Sequence, residues 1–393
     1  MEAASTQGMN NPTAWIDQLD RKAWKRGLPL HGDPKSTLLT AAGAGLDRIA
    51  IQASLAYGVS VVPAIRGRGV ERYVDSHAYY VDKDLLDHPE RFFAKPPEHV
   101  CVHEQYVKPR DRDPETARRV MMEFYSPFTA ANPAYRDRYG SYRPNERVEC
   151  RAWLHHAGPR PTIVAIHGFG APDYTVNTEL FFARRLFEQG LDVVLFNLPF
   201  HGSRRPSGAW FHGQHFVGLA LWRLNEACAQ AILDLRVLIR HLRARGAPLV
   251  GVTGYSLGGY HAALLAGVEP NLDFAIPMAP VVSIADLMLA WPIGRVLYPL
   301  IRDREDPVGD MRRLMAVHTP LTHSLKIPKE RTLIVCGVGD RMAPPWHSQA
   351  LWEHWGHPAL LWTRASHLLI LDRQRTFRTV VKFLREQGII PRP

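Results

Sequence analysis

The residues with the clearest chemical promise sit in one stretch. From Pro248 to Gly267 the chain reads as a short apolar strand (Leu249, Val250, Val252), a turn Gly254-Tyr255-Ser256-Leu257-Gly258, and a helix of small residues opening at Gly259. A serine at the tip of a sharp strand-to-helix turn, with glycine two residues to either side, presents its hydroxyl clear of the backbone. Any side chain at Gly254 or Gly258 would collide with a neighbouring strand or helix. The helix N-terminus beyond the turn offers N–H groups, that of Leu257 among them, to a developing oxyanion. The five-residue pattern alone arises by chance in about one chain in ten of this length. Its weight comes from the strand before it, the helix after it and the partners elsewhere in the chain. The plain alternative is a tight turn with no nucleophile.

A serine hydroxyl is a poor nucleophile until a base takes its proton, and that base needs an acid to fix its tautomer. Asp340 follows an apolar strand ending at Cys336, in Gly337-Val338-Gly339-Asp340-Arg341. His367 follows the last strand, in Thr363-Arg364-Ala365-Ser366-His367. Each of the three candidates leaves the carboxyl end of its own strand, so Ser256, Asp340 and His367 can converge on one sheet edge. In this arrangement His367 takes the serine proton and returns it to the leaving group, while Asp340 orients the imidazole and balances its charge. Asp286, Asp303 and Asp306 compete as acids, and Asp286, soon after a strand, is the better placed of these. His347, His354 and His357 compete as bases but lie in or beside a helix. The second oxyanion donor falls in His167-Gly168-Phe169-Gly170, after another strand. The N–H of Phe169 is assigned to it, with Gly170 as the near alternative, and His167 is expected to brace the loop.

The elements that must hold these residues alternate. Strands are expected at Thr162–Ile166, Leu191–Leu198, the elbow strand, Leu272–Met278, Arg331–Gly337 and Ala359–Thr363. Helices are expected at Thr178–Gln189, Phe216–Arg245, after the elbow, at Trp346–Trp355 and at Thr376–Gln387. Such alternation with continuous apolar strands means a parallel sheet covered on both faces. Before it, Val100–His103, Arg119–Tyr125 and Arg147–Leu154 read as antiparallel strands. Between Val282 and Ile327 no strand is visible. Leu287, Met288, Trp291 and Tyr298 make this segment a helical cap over the carboxyl edge of the sheet or ordinary packing. Thr13–Arg26 reads as a short helix. Ile49–Ile65 carries no charge and reads as a helix buried against the main domain, with membrane attachment as the alternative reading.

Bulk composition excludes several classes. The 393 residues are 46% apolar and 22% charged, ordinary for a globular protein with a sizeable core. The net charge of +10 is carried mostly by scattered arginines, with no basic run and no nucleic-acid motif. Nucleic acid is therefore not an expected partner. The four cysteines, Cys101, Cys150, Cys228 and Cys336, are far apart and form no C-x-x-C pair. With no visible secretion signal, a reducing, cytoplasmic setting is expected. His212-x-x-His215 finds no carboxylate or cysteine to complete a metal site, and Gly168-x-Gly170 lacks the dinucleotide pattern, so neither metal nor cofactor is expected.

Taken together, these residues resemble the α/β-hydrolase superfamily over about residues 117–393. Asn197-Leu198-Pro199-Phe200-His201-Gly202 is similar to the D-x-P-G-x-G loop of many members, with Asn in place of Asp. Serine at the elbow argues against the branches that use aspartate there. The resemblance implies an eight-stranded, mostly parallel sheet flanked by helices and a covalent acyl-enzyme mechanism. It leaves residues 1–116 as a partly helical N-terminal extension and about 283–327 as a cap insertion. The expected activity is hydrolysis of a small-molecule ester or thioester with an apolar acyl group. Acyl transfer or carbon–carbon bond hydrolysis by the same residues, and a non-catalytic binding or membrane-associated protein, are the rival readings.

Overall fold

Alternating apolar faces decide the layering. In the computed structural model, strands form at β1 (His103–Tyr106), β2 (Ala117–Tyr125), β3 (Arg147–His155), β4 (Thr162–Ile166), β5 (Asp192–Phe196), β6 (Val250–Tyr255), β7 (Phe274–Met278), β8 (Leu333–Gly337) and β9 (Ala359–Thr363). The structure describes residues 11–392 apart from 27–28, 33–34, 67–77, 172, 217–219, 293, 296–297, 299–301 and 303. The strands make one sheet in the order β1-β2-β3-β5-β4-β6-β7-β8-β9. From β5 to β9 every pairing is parallel, and the β1–β2, β2–β3 and β3–β5 pairings are antiparallel. Eight strands match the sheet implied by the resemblance. β1 adds a ninth at the edge: the strand expected at Val100–His103 forms instead at His103–Tyr106, because its mostly exposed side chains carry no apolar alternation to fix its bounds.

Within each central strand, successive residues go to opposite cores. Val164, Ile166, Val194, Phe196, Val250 and Val252 join one cluster; Ile163, Ala165, Val193, Leu195, Phe274 and Ile276 join the other. The longer helices are α1 (Leu38–Arg66), α2 (Tyr174–Leu180), α3 (Ala183–Glu188), α4 (Leu221–Ala244), α5 (Leu257–Val268), α6 (Ile284–Ala290), α7 (Pro307–Met315), α8 (Trp346–His354) and α9 (Arg373–Glu386). Helices α4, α5 and α8 cover the first face, and α3 and α9 the second. The segment between β7 and β8 is helical, as expected, and contains α6 and α7.

Two helices read as continuous are interrupted. Thr178–Gln189 gives way to α2 and α3, separated by Phe182 at φ 52°. Thr13–Arg26 becomes Ala14–Gln18 and Ala23–Arg26, with a turn in which the Asp20 carboxylate accepts from Lys22 N. In α1 the described side chains bury only a narrow stripe of Thr40, Ala44 and Asp47, leaving Leu38, Leu39, Leu46 and Ile49 exposed. The side chains of 53–66 lie outside the described residues, so the expected burial of Ile49–Ile65 holds for no more than part of that span. Among the described residues no helix is long and apolar enough to cross a membrane.

Candidate active site

The elbow forms where its glycines require it. A Cβ at Gly254 would lie 2.1 Å from the Gly258 carbonyl oxygen, and one at Gly258 would lie 1.9 Å from that of Ile166 on β4. Strand β6, the turn and α5 therefore interlock with backbone against backbone. Ser256, at the tip, is held at φ 59° and ψ −115°, in the region that side chains rarely adopt. Its N–H donates to Met278 O on β7 at 2.9 Å. Among the described residues neither the Leu257 nor the Phe169 N–H has a hydrogen-bond acceptor. A Cβ on Gly168 would sit 3.5 Å from Ser256 Cβ, so the loop after β4 runs beside the serine.

His167 braces that loop. Its ring is buried, with Nδ1 2.7 Å from Gly168 O and Nε2 accepting from Leu198 N at 3.2 Å. Nε2 also lies 3.1 Å from Asn197 Oδ1, and burial lowers the His167 pKa. Asn197 Nδ2 in turn donates to His201 O, which closes the loop after β5. In that loop Phe200 stands where the similar motif has glycine, and it adopts φ 61° while fully buried.

Asp340 and His367 meet. The His367 Nδ1 to Asp340 Oδ2 distance is 2.7 Å, and Asp340 Oδ1 accepts from Met342 N and Ala343 N at 2.9 and 2.7 Å. Both groups are buried. Burial opposes charge on the imidazole, but the attraction and hydrogen bond of Asp340, with the charge of Asp47 behind them, hold its pKa above the ordinary value. Tyr255, one residue before Ser256, packs its ring 5.0 Å from that of His367 and donates its hydroxyl to His367 O at 2.6 Å. Among the described residues no hydrogen bond links Ser256 Oγ to His367 Nε2. In apo structures such catalytic bonds are often long and tighten only with substrate.

The competing candidates lie elsewhere. Asp286 is fully buried against Arg312, at 2.7 Å, and accepts from Ser283 Oγ. Asp306 caps α7 and pairs with Arg21 and Arg313. Asp303 lies outside the described residues. His347 is buried with its pKa pushed down to about 3 by desolvation; its Nδ1 accepts from Val282 N. His354 binds His323 O, and His357 packs on Trp352.

Sequence reading missed Asp47 and Tyr255. Asp47, on α1, accepts hydrogen bonds from the loops that carry both Asp340 and His367. The available signal was the stripe Thr40, Gly43, Ala44 and Asp47, small or polar at helical spacing, which marks a face meant for close approach. Of the apolar cap residues, Met288 is buried and Leu287 packs on the main core. Trp291 and Tyr298 line a surface cleft of about 460 Å³ between α1 and the insertion, together with Ile51, Leu289 and Pro292. Trp291 Nε1 also donates to Met342 O, tying the insertion to the Asp340 loop.

Comparison with known proteins agrees with this architecture. Residues 128–294 match the family model described as alpha/beta hydrolase domain containing 18. Over 340 residues the chain is 31% identical to the uncharacterised proteins MT2702 and Rv2627c of Mycobacterium tuberculosis (strains CDC 1551 and H37Rv), covering 80% of this chain and 74% of each relative. Acetyl xylan esterase 1 from Thermoanaerobacterium sp. JW/SL YS485 superposes with a TM-score of 0.56 at 15% identity, over 78% of this chain and 94% of that one. The acetyl xylan esterase from Paenibacillus sp. R4 gives 0.52 at 16% identity, over 77% and 94%. With its sheet order, its strained serine turn and these relatives, the chain belongs to the α/β-hydrolase superfamily, in one family with the two mycobacterial proteins.

Proposed function

We propose that the protein is a serine hydrolase that cleaves a carboxylic ester or thioester, with an apolar acyl group preferred. Ser256 attacks the carbonyl carbon, and His367 takes the hydroxyl proton through Nε2 as the bond forms. The oxyanion receives hydrogen bonds from the N–H groups of Leu257 and Phe169. His367 then protonates the leaving alcohol or thiol, and water activated by the same imidazole releases the acid. Asp340 keeps the imidazole in the tautomer that leaves Nε2 unprotonated before attack.

The observation that carries this reading is a serine strained at a strand-to-helix tip, whose neighbour Tyr255 contacts the His367 of a buried Asp340–His367 pair. Two unbonded backbone N–H groups flanking the serine support the assignment of the oxyanion site. Two solved structures that share the fold are acetyl xylan esterases, so a short acetyl ester belongs in any substrate series.

The test is covalent labelling of the purified protein with a fluorophosphonate probe, followed by hydrolysis of p-nitrophenyl esters of rising acyl length. Labelling is expected at Ser256, and Ser256→Ala is expected to abolish it and to remove most hydrolysis while remaining folded. A well-folded wild-type protein that resists the probe and hydrolyses none of the esters would overturn the reading in favour of a binding protein. Added alcohol acceptors separate hydrolysis from acyl transfer by the products formed.

A further inference from the structure

We propose that Asp47, contributed by the N-terminal helix α1, is a positioning residue that locks the acid loop and the base loop of the active site to each other. This inference rests on the Ser256–His367–Asp340 reading and deepens it. The Asp47 carboxylate is fully buried and each of its oxygens accepts two hydrogen bonds. Oδ2 takes Arg341 N at 3.0 Å and His367 N at 2.9 Å. Oδ1 takes Ser366 Oγ at 3.1 Å and Leu368 N at 3.0 Å. Arg341 directly follows Asp340, and three of the four donors belong to 366–368. One side chain thus spans the residue after the acid and the backbone of the base itself.

The surroundings are built for this contact. A Cβ at Gly43, one turn before Asp47, would lie 2.7 Å from Ser366 Oγ, and a Cβ at Gly339 would lie 2.6 Å from Thr40 on α1. Thr40 Oγ1 donates to Arg364 O at 2.9 Å. Helix α1 and the two loops meet at distances that only glycine allows, first on one side and then on the other. His367 is consequently fixed at three points: its N–H by Asp47, its carbonyl by the Tyr255 hydroxyl, and its ring Nδ1 by Asp340. Only Nε2, the atom that must receive the serine proton, is left unbonded among the described residues.

Asp47 meets donors and no cation among these partners, so its negative charge faces the same buried imidazole as Asp340. Among the described residues, the titratable groups facing His367 are these two carboxylates and the Tyr255 phenol. When the imidazolium forms during attack, two carboxylates share in its stabilisation. Removing the Asp47 charge should therefore lower the His367 pKa and extend the neutral form to lower pH, while loosening its placement slows attack.

The experiment compares wild type with Asp47→Asn and Ser366→Ala by ester hydrolysis, fluorophosphonate labelling rate, pH profile and thermal unfolding. Asp47→Asn, which keeps the shape but has one acceptor oxygen and adds an N–H₂ facing two donors, is expected to lose about 10- to 100-fold in kcat with little change in KM. That is less than the roughly 10⁴-fold known for loss of an orienting acid. The acid limb of its kcat/KM profile should move to lower pH. Ser366→Ala, which removes one of the four bonds, should show a smaller loss in the same direction and serves if Asp47→Asn does not fold. If both variants that fold keep wild-type kcat and acid limb, whatever their unfolding temperature, Asp47 is structural only and the inference is overturned. If instead the wild type neither labels nor hydrolyses, it is the serine hydrolase reading that fails.

Discussion

At the scale of single residues, the site depends on backbone geometry before it depends on side chains. Ser256 is held where only glycine is at ease, and such strain costs on the order of 1–3 kcal/mol. Replacing serine by glycine relieves that strain but gives the unfolded chain more freedom, which costs about 0.4–1 kcal/mol. The first effect is the larger. Ser256→Gly should therefore be more stable than Ser256→Ala by about 1 kcal/mol in urea unfolding; equal stability would show that the turn is not strained. The residues that announce themselves in sequence are those whose type is forced by such geometry. Gly254, Ser256 and Gly258 were legible for that reason, as were Asp340 and His367, each placed by following an apolar strand. Asp47 was not, because nothing about an aspartate in a helix of small residues says which distant loop will supply its donors. Tyr255 was hidden too: it fills a position the serine turn leaves unspecified, and only the fold brings its hydroxyl to His367.

At the scale of elements, the N-terminal segments and the insertion between β7 and β8 are joined by a buried ion pair. Arg312 on α7 and Asp286 on α6 are both fully buried, 2.7 Å apart. The same guanidinium donates to the carbonyls of Ile16, Leu19 and Asp20, at the end of the short helix Ala14–Gln18. Trp15 Nε1 adds a bond to Thr322 Oγ1. Removing one member of a buried pair strands the other, at a cost of about 3–5 kcal/mol. Arg312→Ala should lower stability by about that amount and, under native conditions, expose residues 14–26 to proteolysis ahead of the sheet. Unchanged cleavage in that segment would mean that packing of Trp15 and Ile16, not Arg312, holds it. The sequence made the central strands and their covering helices readable, since apolar alternation specifies them locally. The docking of Ala14–Arg26 and of the start of α1 was hard to read because the polar bonds that fix it (from Arg312, Asp47 and Thr40) are long-range, and the stripe of small and polar residues on α1 does not say which loops it meets. The break between α2 and α3 was equally opaque, because Phe182 in the left-handed region is a tertiary constraint and no local signal announces it.

At the scale of the whole molecule, the interior is rich in neutral histidine, and this sets how the protein meets acid. Desolvation pushes His318 and His347 down to about 3 and His261 and His323 to about 4. Their hydrogen bonds to oxygen acceptors do not outweigh this: His323 Nε2 lies 2.9 Å from Val317 O, and His318 Nε2 lies 2.8 Å from Asn225 Oδ1. Each of these groups binds its proton more weakly in the folded chain than in the unfolded one. Each therefore contributes stability that is full above the unfolded value near 6.5 and is lost as pH falls toward 3–4. His367 has the opposite sign, since its raised pKa adds stability below the unfolded value that is lost as pH rises through the folded one. Among these five rings the four lowered ones outweigh the raised one, so their balance favours acid lability. Each extra proton bound by the unfolded chain contributes about 1.4 kcal/mol per pH unit, so even two of the four give about 3 kcal/mol per unit. Against a total of about 5–15 kcal/mol, the fold should fail while many carboxylates are still ionised. Urea unfolding at pH 7.5, 6 and 5 should show stability falling steadily toward acid, with a slope above one proton per molecule. A flat profile between pH 7 and 5 would mean that these rings already find partners able to hold them charged.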